Sequence, residues 1–123
     1  MSARTAQSLI AAIFLILGAW CLVAPQTVID LGLRPDFQSG AAVVPIFVAC
    51  FGAQAMLAGL FAATAIFTRL TFLLYGLALL PFFLFDYWFF AVVPMFNEFI
   101  LLDAAGNAVM LALCWIGWRR AEM

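Results

Sequence analysis

The sequence predicts an all-α fold: an antiparallel four-helix bundle built as an integral membrane protein. Three observations predict it. The chain is 69% hydrophobic and 9% charged, more apolar surface than 123 residues can hide from water. Its apolar residues gather into four segments, at about 6–24, 40–67, 70–93 and 98–118. Each meets or exceeds the roughly 17–25 residues that cross a bilayer. The links after the second and third segments are short, which sets neighbouring helices antiparallel. Residues 1–123 read as a single transmembrane domain.

The first segment opens with Thr5 as the expected N-cap. Arg4 ahead of an apolar run imitates a signal peptide. The run ends in Leu22-Val23-Ala24-Pro25, a poor cleavage site, and Trp20 before Cys21 spoils a lipoprotein site. A retained helix is expected. The loop from Pro25 to Ser39 contains Thr27-Val28-Ile29-Asp30, a helix-start pattern with an acid three residues after the hydroxyl. It predicts a short turn from Val28 to Leu33 lying flat on the membrane, broken by Arg34-Pro35-Asp36.

The second segment is long enough to demand tilt or an overhang. Ala55, Gly59 and Ala63 recur every four residues along it, with Ala58 and Ala62 beside them. Small side chains let helices approach closely in lipid, where no hydrophobic drive pairs them. The third segment carries Pro81, which cannot donate to the Leu77 carbonyl and leaves it free or bends the helix. The fourth begins with Asn97 as expected N-cap and Glu98 in the first turn, where the helix dipole favours an acid. Ala104, Ala108 and Ala112 form a second small-residue stripe, expected to mark a helix contact.

Arginine placement predicts orientation. With four crossings, Arg4, Arg69, Arg119 and Arg120 share one side and Arg34 stands alone on the other. Both termini are therefore expected in the cytoplasm. Trp115 and Trp118 precede Arg119-Arg120 as an inner aromatic belt. Asp30, Asp36, Asp86, Glu98 and Asp103 lie toward the opposite side.

The chain has no histidine, which removes His-based zinc and haem ligation and Ser-His catalysis. No metal site is expected. Only Arg119 and Arg120 are adjacent, so no basic patch for nucleic acid exists. Cys21, Cys50 and Cys114 sit within apolar segments without CxxC spacing and read as buried thiols.

The polar residues inside the apolar segments are the candidate site. Asp86 lies about 10 Å below the outer end of the third helix, and Asp103 about 8 Å below the start of the fourth. They fall at similar depth on consecutive antiparallel helices, and Asn107 follows Asp103 on the same face. Tyr75 is eleven residues from Asp86, close to three turns, and Gln54 is near mid-membrane on the second helix. One polar pocket is therefore predicted from Asp86, Asp103, Asn107, Gln54 and Tyr75, with Glu98 at its rim. Two readings stand side by side. In one the pocket binds a lipophilic ligand with a polar head, or passes protons. In the other the carboxylates hydrogen-bond to Asn107, to backbone at the Pro81 break, to Tyr or Trp, or to Arg34, and hold two helices in register. Phe82, Phe83, Phe85, Tyr87, Trp88, Phe89 and Phe90 crowd around Asp86 as an interfacial belt, a ligand slot or a contact with a partner subunit.

Two local patterns carry a family resemblance. Leu17-Gly18 is followed by Ala24-Pro25 and Leu31-Gly32-Leu33; Phe51-Gly52-Ala53-Gln54 is followed by Leu57-Ala58-Gly59-Leu60. With four helices and a terminal Trp118-Arg119-Arg120, the chain resembles the small bacterial DoxX-like four-helix membrane proteins. The resemblance implies a bacterial inner membrane and, since some members are linked to quinone-dependent sulfur oxidation, a quinone or lipid as ligand. It transfers no catalytic residue. The functional expectation is a non-enzymatic accessory or assembly subunit, or a lipid- or quinone-binding protein. Its partners would be membrane lipids and a larger membrane complex or copies of itself. The alternative is a redox or proton-coupled transport component acting through Asp86 and Asp103.

Overall fold

A computed structural model describes residues 1–122. Five α-helices follow one another: α1 (Ala3–Val23), α2 (Pro25–Gly32), α3 (Val43–Thr64), α4 (Arg69–Tyr87) and α5 (Ile100–Arg120). A 3-10 turn at Pro35–Phe37 precedes α3, and a π turn at Trp88–Val92 extends α4. α1, α3, α4 with its π turn, and α5 are long and apolar enough to cross a membrane.

The helix ends are set by hydrogen bonds more than by where the apolar runs stop. α1 starts before Thr5 because Ser2 caps it, its Oγ accepting from the Thr5 N–H at 3.1 Å. Pro25 then opens α2 at its first turn, where a missing N–H costs nothing. The expected start at Thr27 is overtaken, and the segment is a full eight-residue helix. Gln26 Nε2 donates to Asp30 Oδ1 across one turn at 2.9 Å.

α3 is shorter than the apolar run that predicts it. Its 22 residues reach about 33 Å, close to the thickness of a hydrocarbon core, so no overhang arises. It stops at Thr64 because Thr68 must be extended to cap α4, in a reciprocal box with Thr71. α4 runs on past Pro81 to Tyr87. The wider turn that follows closes with the Val93 N–H donating to the Trp88 carbonyl at 2.8 Å. α5 begins at Ile100, later than expected, after a turn in which Asn97 Oδ1 accepts from the Phe99 N–H at 2.9 Å.

Side-chain pairs give the register. Gly18 meets Gly52, and Leu15 covers Gly59, so α1 and α3 are antiparallel. Phe72 lies over Gly117, and Cys114 faces Gly76, so α4 and α5 are antiparallel too. α1 also packs along α5, and the Trp20 and Phe99 rings meet edge-to-face at 5.9 Å. α3 and α4 are consecutive, yet their backbones make no comparable approach. Aromatic rings bridge them instead: Phe51 with Phe82 at 6.3 Å, and Phe61 stacked on Tyr75 at 6.4 Å. The order around the bundle is α3, α1, α5, α4.

The small-residue expectation holds on one helix and fails on the other. Gly52, Ala55, Gly59 and Ala62 are buried on α3. On α5, Ala108 and Ala112 are exposed and Ala104 only half-buried. The packing face of α5 is instead Asn107, Met110, Leu113, Cys114 and Gly117. The core is narrow, with Phe72, Ile10, Leu79 and Met110 its largest fully buried side chains. Large apolar side chains face outward on every long helix, including Ile16, Phe47, Leu84 and Leu102. A helix apolar on all faces needs apolar surroundings on all faces.

Two ends of the bundle are named for what they carry. The terminal end holds both chain termini and the 65–68 link. The loop end holds α2, the 33–42 connection and the 88–99 turn.

The α1–α3 contact leaves no room for a side chain. A Cβ on Gly52 would stand 2.5 Å from the Leu22 nitrogen and 2.7 Å from the Gly18 carbonyl oxygen, both backbone atoms. Gly52→Ala should therefore cost at least the ~1–3 kcal/mol of an overpacked core in reversible SDS-titration unfolding. Gly106→Ala, with nothing within 4 Å, should be neutral or stabilising. Equal behaviour of the two variants would show that this contact does not hold the helices together.

Candidate functional site

The polar centre of the bundle forms where α4 ends and α5 begins. Asp86 lies in the last turn of α4 and is buried. Asp103 lies in the first turn of α5 and is half-buried. Asn107 is one turn further along α5 and is buried. Its Nδ2 donates to Asp86 Oδ2 at 3.3 Å and to Asp103 Oδ2 at 3.1 Å. A carboxamide nitrogen carries two N–H groups, so a single side chain serves both carboxylates. The antiparallel register of α4 and α5 brings the three together, as depth counting along the sequence predicts. Asp103 also sits where the α5 dipole favours negative charge, shallower in its helix than expected.

The other predicted members lie elsewhere. The Tyr75 hydroxyl donates to the Ala58 carbonyl at 3.1 Å, and its ring packs on Phe67 at 4.8 Å. Eleven residues of helix place it about 16 Å from Asp86 along α4. It shares the general α4 face but serves the α3–α4 seam. Gln54 is exposed on α3, and among the described residues it has no hydrogen-bond partner. Gln54 lies off the buried face of α3, which is Gly52, Ala55, Gly59 and Ala62, and so points away from the acidic cluster. Glu98 is exposed in the turn before α5. Arg34 is committed elsewhere: its Nε donates to the Phe96 carbonyl at 2.8 Å, and its guanidinium lies 6.0 Å from the Phe90 ring.

Two further polar assemblies were not visible in the sequence. Gln7 is buried, and its Nε2 donates to the Ala62 and Ala65 carbonyls at 2.7 and 2.5 Å. Its Oε1 accepts from the Phe67 N–H at 3.3 Å. Arg4 adds bonds to Ala65 and Ala63 carbonyls at 3.0 and 3.2 Å. Together they satisfy the end of α3, where unpaired carbonyls concentrate and a cation suits the dipole. The i, i+3 spacing of Arg4 and Gln7 was the available signal. At the loop end, Asn97 Nδ2 donates to the Leu31 carbonyl at 2.6 Å, and Arg34 N–H to the Met95 carbonyl at 2.8 Å. Leu33 and Phe96 form an antiparallel bridge there. The loop after α1 is thereby stapled to the turn before α5.

Of the three thiols, Cys21 and Cys114 are buried, while Cys50 is exposed on α3. The expectation of three buried thiols fails at Cys50 because its side of α3 turns away from α1. At the terminal end Arg69 lies 4.7 Å over the Trp118 ring, Trp118 is 5.3 Å from Trp115, and Arg119 lies 5.9 Å from Trp115. These alternating cations and indoles suit an interfacial belt.

Two shallow grooves mark the ends. One of about 460 Å³ is lined by Leu31, Arg34, Asn97, Glu98 and Phe99. The other, about 530 Å³, is lined by Met1, Trp115, Ile116, Arg119 and Arg120. Neither is lined by Asp86 or Asp103. Among the described residues no three His, Cys, Asp or Glu side chains converge as metal ligands would. The cluster can bridge two helices or take up a proton; it offers only two carboxylates to any cation.

No family model, curated protein or solved structure matches the chain. The fold and polar centre define a class: an all-helical bundle of four apolar helices of membrane-spanning length, latched near one end by an Asp–Asn–Asp bridge.

If that bridge latches α4 to α5, Asn107→Leu should destabilise the bundle by about 1–3 kcal/mol, the cost of leaving buried polar groups unpaired. The double variant Asp86→Asn, Asp103→Asn keeps amides in place of the carboxylates and should lose less. SDS-titration unfolding followed by circular dichroism compares them. A harmless Asn107→Leu would count against a latch.

Proposed function

We propose that the protein is a non-enzymatic, multi-pass component of a bacterial inner membrane, with both termini cytoplasmic, serving as an accessory or assembly subunit. The observation that carries this reading is how the side chains are divided between interior and exterior. Apolar side chains face outward on all four long helices. The buried polar side chains Gln7, Asp86 and Asn107 bond to partners within the chain. The interior chemistry is thus spent on holding helices, and the exterior is free to meet lipid and other membrane proteins. The DoxX-like resemblance adds a lipid or quinone as a ligand of the same exterior.

A second reading has one observation in its favour. Asp86 is buried in an apolar bundle with an amide for a partner, an arrangement costly enough to mark a proton-handling residue. On that reading Asp86→Asn abolishes a transport or redox activity while expression and helix packing survive.

Orientation is tested in a cysteine-free background. Ser39→Cys should react with a membrane-impermeant maleimide added outside intact cells, and Glu122→Cys only after lysis. The reverse pattern overturns the cytoplasmic assignment of the termini. Purification in mild detergent with native mass spectrometry then tests the accessory role. A second polypeptide, bound lipid or quinone is expected on the protein. A bare monomer that carries none of these would sink the proposal.

A further inference from the structure

The loop end brings together two opposite charges from distant parts of the chain and leaves both unpaired. Arg34 and Glu98 line one groove of about 460 Å³, with Leu31, Asn97 and Phe99 as its other walls. That volume falls within the roughly 300–1,000 Å³ of small-molecule sites. Among the described residues, Arg34 and Glu98 form no salt bridge with each other or with any other side chain.

The walls of the groove are tied to one another. Asn97 Nδ2 donates to the Leu31 carbonyl at 2.6 Å, and the Asn97 N–H to the Gly32 carbonyl at 2.9 Å. The Arg34 N–H donates to the Met95 carbonyl at 2.8 Å, and its Nε to the Phe96 carbonyl at 2.8 Å. The Nε bond holds the guanidinium in one direction and leaves its two terminal amino groups without a partner among the described residues. Those two groups form the fork that grips a phosphate through parallel hydrogen bonds. Glu98 is exposed, and among the described residues its carboxylate accepts no hydrogen bond. A carboxylate can only accept, so what it lacks is an N–H or O–H donor.

We propose that this groove binds the headgroup of a phospholipid with a primary ammonium, its phosphodiester on Arg34 and its ammonium on Glu98. The proposal rests on the membrane reading above and names the lipid within it. A groove with one free charge of each sign is matched by a zwitterion, and phosphoethanolamine carries its two charges across a short ethylene link. An anionic headgroup satisfies Arg34 and is repelled by Glu98. A quaternary ammonium carries no N–H for Glu98 to accept from. A lipid is favoured over a soluble zwitterion by the apolar surface beside the charges. Leu31 and Phe99 are exposed at the groove, and exposed Leu102 continues that surface one turn along α5, where an acyl chain can follow. The groove at the terminal end differs: it holds Arg119 and Arg120 and no acid in its lining, so it cannot tell a primary from a quaternary ammonium.

The test is native mass spectrometry of the full chain in mild detergent, titrated with phosphatidylethanolamine, phosphatidylcholine and phosphatidylglycerol of identical acyl chains. Phosphatidylethanolamine should bind about fivefold more tightly than phosphatidylcholine, the upper range for one exposed ion pair. Glu98→Gln should level the two, and Glu98→Lys should turn the preference to phosphatidylglycerol. Both variants should keep wild-type helicity by circular dichroism, since the Glu98 side chain makes no bond within the chain. Three results would overturn the proposal: equal binding of the three lipids by the wild type, a phosphatidylethanolamine preference that survives Glu98→Gln, or free phosphoethanolamine bound as tightly as the lipid. Alkaline-carbonate extraction separates the two layers of the claim. A chain that resists extraction yet shows no headgroup preference loses the proposal and keeps the membrane reading; a chain that is extracted loses both.

Discussion

The approach of Gly18 to Gly52 is the constraint on which the bundle turns. Each glycine stands where the other helix presents bare backbone, so α1 and α3 close to a distance that no side chain permits. In an apolar solvent close approach is the main source of helix affinity, because apolar burial gives none. α1 thereby becomes the central post. α3 leans on one side of it and α5 on another, and α4 is held through α5. The α3–α4 seam is what remains, and the chain fills it with phenylalanine and tyrosine rings that span a wider gap. One tight contact and one loose one follow from the same ring of four helices.

Polar side chains are few, and most are placed at helix ends. Arg4 and Gln7 serve the carbonyls that α3 leaves open. Thr68 and Thr71 cap α4. Asn97 joins the end of α2 to the turn before α5. Asp86, Asp103 and Asn107 tie the last turn of α4 to the first turns of α5. Helix ends are where backbone groups lack partners within the helix, and an apolar environment makes each omission costly. Gln54 departs from this pattern by standing mid-helix and facing outward.

The candidate site shows how far linear reasoning reaches. Asp86, Asp103 and Asn107 meet because a short link, an antiparallel pair and a fixed rise per residue leave little freedom in depth. Tyr75 and Gln54 were drawn into the same pocket by depth and periodicity alone, and both are elsewhere. Depth is a one-dimensional quantity; which neighbour a helix face looks toward is not. The alanine stripe on α5 failed for the same reason, since its four-residue spacing marks a face without naming what lies opposite.

By itself the sequence determined the helical class, the four long apolar segments, the short antiparallel links and the meeting of two carboxylates near one end. Length, hydropathy and the rise of an α-helix suffice for these. The tertiary structure alone decided which faces pack, where each helix stops, and that Gln7 is interior while Gln54 and Cys50 are exterior. The physical reason is the uniform greasiness of the segments. In a water-soluble helix the contrast between apolar and polar sides names the buried face. Here every side is apolar, and only the fit of glycines against backbone, and of rings across a gap, breaks the tie.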